Sequence, residues 1–360
     1  MKISKFLPTA LASGLVGLFL GFAAPAQAED LPKEIHIAGG ASFQNGELAL
    51  TGHAAIIQQQ GWLEAELKKR GVKLSWFAVS HSATGPMINE AFANHNIEFA
   101  GYGDLPSLIL NASGFETRVV VPNGLGGTGD TYLVVPTNST AKSIEDLKGK
   151  RLAIHKGRPW EIPLLRLLES KGLSYSDFQT YNIDPQAGAV ALATGGVDAL
   201  YTIGNDAFML EERHVGKILW STAQQPADWK MRTELWGAGW FIDKYPELTQ
   251  LVVTAYLKAG YWASLPENRE AAIRTNVRPG TPESIVRRVY EGNDSVWKDR
   301  WSPLFTPDLS EHYKVTESYA FNKQLISAHV DTAKLLDARF VNNALQDLQL
   351  THYWTPAPTK

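Results

Sequence analysis

The chain has 360 residues, 44% of them hydrophobic and 20% charged, and a formal net charge of −3. A chain of this size can bury a sufficient core without staples, and its composition excludes disordered, collagen-like and strongly basic nucleic-acid-binding classes. It contains no cysteine, which removes disulfides, thiolate metal sites, cysteine nucleophiles and lipid-modified cysteine.

Lys2 and Lys5 precede an apolar stretch from Ala10 to Ala24, which ends in Ala26-Gln27-Ala28 and the acidic pair Glu29-Asp30. This is the anatomy of a secretory signal peptide over residues 1–28, cleaved after Ala28. As a membrane anchor the stretch is short. An exported chain lacking a lipobox cysteine is expected free in a Gram-negative periplasm, not as a lipoprotein.

Beyond it, strands alternate with helices. Strands are expected at Ile35–Ala38, Val72–Val79, Ile97–Gly101, Arg118–Val121 and Tyr132–Val135. Helices are expected over Glu47–Gln60, Leu63–Arg70, Pro86–Asn94 and Pro106–Asn111. The pattern then starts afresh with a helix start at Ser143–Asp146, a strand at Arg151–His155 and a helix over Trp160–Lys171. A small-residue helix Pro185–Thr194, a strand Val197–Ile203, a helix Asp206–His214 and strands Ile218–Ser221 and Trp236–Ile242 follow. The remainder reads as helices at Pro246–Ser264, Arg269–Asn276, Pro282–Tyr290 and about Leu309–Val330.

This alternation predicts an α/β protein of two lobes, each a central sheet flanked by helices, with a ligand cleft between them. Residues 29–131 with 238–360 are expected to form the first lobe and 132–237 the second, with crossovers near Thr131–Val135 and Gly237–Phe241.

Chemistry is expected at strand-to-helix junctions. Ser82-Ala-Thr-Gly-Pro86, Gly101-Tyr-Gly-Asp-Leu-Pro106, Lys156-Gly-Arg-Pro-Trp160 and Gly204-Asn205-Asp206 each place glycine before a helix start. Free backbone N–H groups and the positive helix end then favour an anion, beyond the carboxyl ends of the strands. Gly and Pro are also ordinary turn punctuation. The candidate ligand is a small organic anion held by backbone donors and by hydroxyls such as Thr84 and Thr128. Arg158, which shares its loop with Lys156, either pairs with the anion or is a solvated loop residue. Trp160, Trp236 and Trp240, with Tyr102, either line an apolar pocket or pack in the core.

Enzyme signals are weak. The nine histidines form no HExxH or other closely spaced ligand set, and no GxSxG, GxxxxGK[ST] or GxGxxG junction occurs. Gly124-Leu-Gly-Gly127, leading to Thr128-Gly129-Asp130, reads as a loop bordering the cleft. Asp104 and Asp206 resemble an acid/base pair less than helix-capping residues. No metal and no cofactor is expected.

In these loops the chain resembles the periplasmic substrate-binding proteins of ABC importers for nitrate, taurine and aliphatic sulfonates, related to binders of thiamine precursors. Gly85-Pro-Met-Ile-Asn-Glu-Ala91 and Ile97-Glu-Phe-Ala-Gly-Tyr-Gly-Asp-Leu-Pro106 carry the likeness. So do Val134-Val-Pro136, Ser143 to Ala153, Lys156-Gly157, Gly195-Gly-Val-Asp-Ala199 and Trp240–Trp262 with Tyr245-Pro-Glu-Leu248. The resemblance implies a hinged two-lobe monomer without catalysis, partnered by an inner-membrane permease and ATPase. It puts the anionic head at Thr84, Gly85, Asp104, Gly157, Arg158 and Asn205. The insert Asn123–Thr131 and the bulky Trp160 depart from a small-alkanesulfonate pattern and lean towards a larger sulfonate or sulfate ester. Nitrate, taurine or a thiamine-type pyrimidine as ligand, and a ligand-sensing role, are the alternatives. Enzymes sharing this resemblance use catalytic cysteines, absent here.

Overall fold

The computed structural model describes residues 31–79, 84–124, 129–278, 280–291 and 297–355. The expected signal peptide over 1–28 and Thr128 lie outside them, as do Ser82-Ala83 and Leu125–Gly127 of two candidate loops.

Two five-stranded mixed sheets organise the chain. The first contains β1 (Glu34–Ala38), β4 (Lys73–Phe77), β5 (Phe99–Gly103), β6 (Thr117–Val121) and β12 (Thr233–Ala238), in the order β4-β1-β5-β12-β6. The second contains β7 (Thr131–Pro136), β8 (Arg151–Ile154), β9 (Gln179–Asn182), β10 (Ala199–Ile203) and β11 (Gly216–Ser221), in the order β11-β7-β10-β8-β9. A separate hairpin joins β2 (Ala41–Gln44) to β3 (Glu47–Leu50). In each large sheet the strand arriving from the other lobe runs antiparallel to both neighbours: β12 between β5 and β6, and β7 between β10 and β11. The other pairings are parallel, as the βαβ pattern predicts. Central strands are buried on both faces, with Ile35, Ile37, Phe99, Leu133 and Val135 fully enclosed, so their sequences read as continuous apolar runs.

Helices cover these sheets: α1 (Gly52–Gln60), α2 (Trp62–Lys69), α3 (Thr84–Ala93), α4 (Asp104–Ala112), α5 (Glu161–Ser170), α6 (Pro185–Ala193) and α7 (Gly204–Glu212). After β12 come α8 (Gly239–Lys244), α9 (Pro246–Ser264), α10 (Arg269–Arg274), α11 (Glu283–Glu291), α12 (Pro307–Asn322) and α13 (Arg339–Asp347). The longest, α9, starts on a first-turn proline and buries Leu248, Val252, Ala255, Ala259 and Ala263 at three- and four-residue spacing. No helix of the described residues is long and apolar enough to cross a membrane.

Several element expectations need correction. Residues 47–50 form a strand, not a helix start, because Asn45-Gly46 makes a hairpin turn with both residues at positive φ. The strand expected over Trp236–Ile242 runs from Thr233 to Ala238, and α8 begins at Gly239. The helix expected at about Leu309–Val330 stops at Asn322, and α13 went unforeseen. The start expected at Ser143–Asp146 yields only a short 3-10 turn over Glu145–Leu147.

The chain after β12 does not stay on the first sheet. Ile285 of α11 joins the core cluster of Tyr132, Val134 and Phe208 beside the second sheet, and Arg288 pairs with Glu211 of α7 at 2.6 Å. Trp297 and Trp301 then return to the core of the first sheet.

Candidate functional site: a cleft with an unpartnered arginine

A cavity of about 330 Å³ lies between the two sheets. Gly39, Gly101, Gly103 and Gly85, from the ends of β1 and β5 and the start of α3, line one side; Arg158, Pro159, Trp160 and Ile203 line the other. These glycines serve close approach. Gly39 sits at φ +94°, and a Cβ there would come within 2.5 Å of the Gly101 carbonyl oxygen. A Cβ on Gly103 would overlap the Pro159 ring, so the lobes touch where glycine leaves room.

Arg158 dominates the electrostatics. It is 7% exposed, and its Nε and Nη1 are buried without hydrogen-bond partners among the described residues. The guanidinium packs 4.9 Å from the Trp160 ring centroid, and its Nη1 lies 3.1 Å from where a Gly85 Cβ would stand, at the start of α3. Burial pulls its pKa down to about 10, so it remains a cation near neutrality. A buried cation beside a helix N-terminus is an unfavourable arrangement that an anion touching both would relieve. Arg278, ahead of α11, also lines the cavity; burial lowers its pKa too, opposed by Asp206.

The other sequence candidates divide. Gly85, Arg158 and Trp160 meet in the cavity, whereas Thr84 is described only as the first residue of α3. Tyr102 lines it in part, but its ring packs with Phe92 and Trp236 in the core. Asp104 is a structural residue and not an anion contact: its carboxylate accepts from the Leu105 and Arg232 N–H groups and pairs with His312 Nε2 at 2.9 Å. The Gly157 N–H is already engaged, donating to Glu161 Oε2 at 2.5 Å. Asn205 and Asp206 line a second cavity of about 380 Å³, reached on the other side of Arg278. There Asp206 accepts from the Thr202 hydroxyl, and burial raises its pKa. Trp240 packs tilted against His95 and edge-to-face with Phe241 against the first core, outside the cavity lining.

Sequence reasoning missed Gly39, Gly40, Ala41, Ser42 and Thr51, all in the cavity wall. Gly39-Gly40 directly follows β1, so the glycine-after-strand rule applied elsewhere would have found it. Arg278 carried no local signal, since its approach depends on the chain crossing back through α11. Among the described residues, no group of three or more His, Asp or Glu is placed to hold a metal.

Two lobes joined by crossing strands, with a cleft between them and a buried cation in its wall, define the two-lobe fold of periplasmic binding proteins. Comparison with known proteins places this chain more narrowly. The NMT1/THI5-like family matches residues 119–268. A solved structure from Methylobacillus flagellatus KT, described as the periplasmic sulfonate-binding protein SsuA of a sulfonate ABC transporter, is 43% identical. It matches over 91% of this chain and 98% of its own, with a TM-score of 0.78. The aliphatic sulfonates-binding protein named in Bacillus subtilis (strain 168) is 23% identical over 301 residues, 81% of this chain and 84% of that one. The chain belongs to the family of periplasmic substrate-binding proteins of ABC importers that includes the sulfonate, taurine and nitrate binders. The same fold also carries catalysis elsewhere. The desulfurization enzyme DszB matches 88% of this chain and all of its own, at 17% identity and a TM-score of 0.67.

Proposed function

We propose that this protein captures an organic sulfonate or sulfate ester in the cleft and delivers it to a membrane permease and ATPase, without catalysis. One observation carries the reading: the buried Arg158 guanidinium, whose Nε and Nη1 have no hydrogen-bond partner among the described residues, lies beside the start of α3 in the cavity wall. A sulfonate head offers three oxygens to those donors, and Trp160 gives its organic part an apolar wall. Lobe closure over the anion would mark the loaded state for the importer. The relatives named above are binding proteins, and a chain without cysteine has no thiol nucleophile for desulfination.

Calorimetric titration with alkanesulfonates and alkyl sulfates tests the reading. Binding is expected for the wild type, and Arg158→Ala should weaken it by about 1.5–3 kcal/mol, as for a hydrogen bond to a charged group. Unchanged affinity in that variant, or no response to any sulfur oxyanion, would sink the assignment.

A further inference from the structure

We infer that the β2–β3 hairpin is a second ligand subsite, an apolar shelf that receives the hydrocarbon part of an amphiphilic anion. The inference rests on the reading of the cleft given above.

Ala41 and Ser42 of β2 line the cavity. Across the hairpin Ala41 pairs with Leu50 and Phe43 with Leu48. Residues two apart on a strand share a face, so these two pairs lie on the same side. That face is enclosed at its root, where Ala41 is 3% exposed, and opens outward, where Phe43 is 71% and Leu48 43% exposed. Phe43 stands about 6–7 Å beyond Ala41 at ordinary strand rise. The strand that brings Ala41 to the cavity wall thus carries a paired apolar surface out into solvent. Exposed apolar residues such as Tyr181 and Val315 sit on elements that contribute nothing to this cavity, as scattered surface residues do in any protein.

The shelf is also held in place. The turn at Asn45 and Gly46, with φ of 52° and 85°, is the type whose twist matches two flanking strands. At the root the Thr51 N–H donates to Gly40 O at 2.7 Å, and the Val79 N–H to Ala41 O at 3.0 Å. An isolated two-stranded hairpin is marginal in water, and keeping an aromatic and a leucine on its open face adds exposed apolar surface. A ligand with its anionic head at Arg158 and its tail leaving past Ala41 would cover both residues.

The experiment compares methanesulfonate with octanesulfonate on the full protein and on the Phe43→Thr/Leu48→Thr double variant, by calorimetry. Threonine keeps strand preference at exposed positions, and circular dichroism with a thermal midpoint checks folding. In the wild type octanesulfonate should bind at least about tenfold tighter than methanesulfonate, because each buried methylene contributes several-fold. The double variant should lose most of that gain while its methanesulfonate affinity stays within about twofold. A chain-length gain that survives in the double variant overturns the inference and points the tail past Arg278 into the second cavity. Equal wild-type affinities for the two compounds overturn it as well, with the cleft reading intact. Failure of both compounds to bind wild type removes the cleft reading itself, and the shelf with it. A wild-type dimer that the double variant dissolves would assign the apolar pair to a second copy of the chain and overturn the ligand shelf.

Discussion

Two arginines in this molecule are equally buried and opposite in circumstance. Arg232 is 8% exposed and Arg158 is 7% exposed. Arg232 lies just before β12, where the chain crosses back to the first sheet. Its Nε donates to Glu234 Oε1 at 2.5 Å and its Nη2 to Asn123 O at 2.8 Å. Asn123, on the outgoing crossing, returns the contact by donating its N–H to Glu234 Oε2. The two crossings between lobes are thus tied together by one buried, fully engaged ion pair. Arg158, in the cleft, has an aromatic face beneath it and two donor atoms without a partner among the described residues. Burying a charge is tolerable only when it is paired. The paired arginine is therefore structure, and the one without a partner among the described residues is the anchor proposed above for a ligand.

The sharpest way to break this contrast is at the crossing. Arg232→Met leaves the Glu234 carboxylate buried without its cation and should cost about 3–5 kcal/mol in urea unfolding. A loss under about 1 kcal/mol would show that the pair does not hold the crossings.

His53, a half-buried base, offers a third outcome: its surroundings favour the neutral ring. The ring lies 5.5 Å from Tyr256 and 5.4 Å from Trp301, centroid to centroid, and burial lowers its pKa from 6.5 to about 4. Its native pKa is below the unfolded one, so the unfolded chain binds the extra proton between these values. The neutral ring's contribution is complete above pH 6.5 and is lost as pH falls towards 4, by about 1–3 kcal/mol. The difference between wild type and His53→Gln isolates it. Glu98, Glu161 and Asp206, whose pKa values burial raises, act in the opposite direction and cancel in the subtraction. A pH-independent difference would contradict the assignment.

Gly103 sharpens the cleft side of the comparison. At φ −82° its backbone accepts any residue, so the only obstacle to Gly103→Ala is the Pro159 ring across the cleft. Overpacking of that kind costs about 1–3 kcal/mol, which should appear as roughly tenfold or greater weakening of anion binding. Small-angle scattering should show the lobes further apart. Undiminished binding would mean that the approach of Gly103 to Pro159 plays no part in the loaded state.

What could be read from the sequence follows from how local each cause is. The helix α9 was legible because a first-turn proline and three-to-four spacing are written within its own residues. The hairpin was not: Glu47, Leu48, Ala49 and Leu50 are strong helix formers, and the turn signal of Asn45-Gly46 went unused beside them. Arg158 stands out as the arginine in the glycine loops. Asp104 carried the same kind of signal at a helix start, yet its partners Arg232 and His312 lie more than a hundred residues away in sequence. Nothing near it reveals that its oxygens are taken. Trp240 failed for the same reason, since only the fold shows it packed against His95 and outside the cavity lining.

The smallest expected effect separates the two arginines by sign. Arg158→Met keeps most of the side-chain volume over Trp160 while removing a buried charge without a protein partner among the described residues. In ligand-free buffer this change should leave stability unaltered or raise it by up to about 1 kcal/mol, unlike the loss expected for Arg232→Met. Ligand should reverse the order. At a hundredfold excess over its dissociation constant, a sulfonate stabilises the wild type by about 2.7 kcal/mol through mass action, and a variant that binds weakly gains little. Unfolding curves for the two proteins should therefore exchange places on adding the anion. A ligand-free loss above about 2 kcal/mol in Arg158→Met would mean that the guanidinium already has its counterpart within the fold. Its role would then match that of Arg232, and the cleft would need a different anchor.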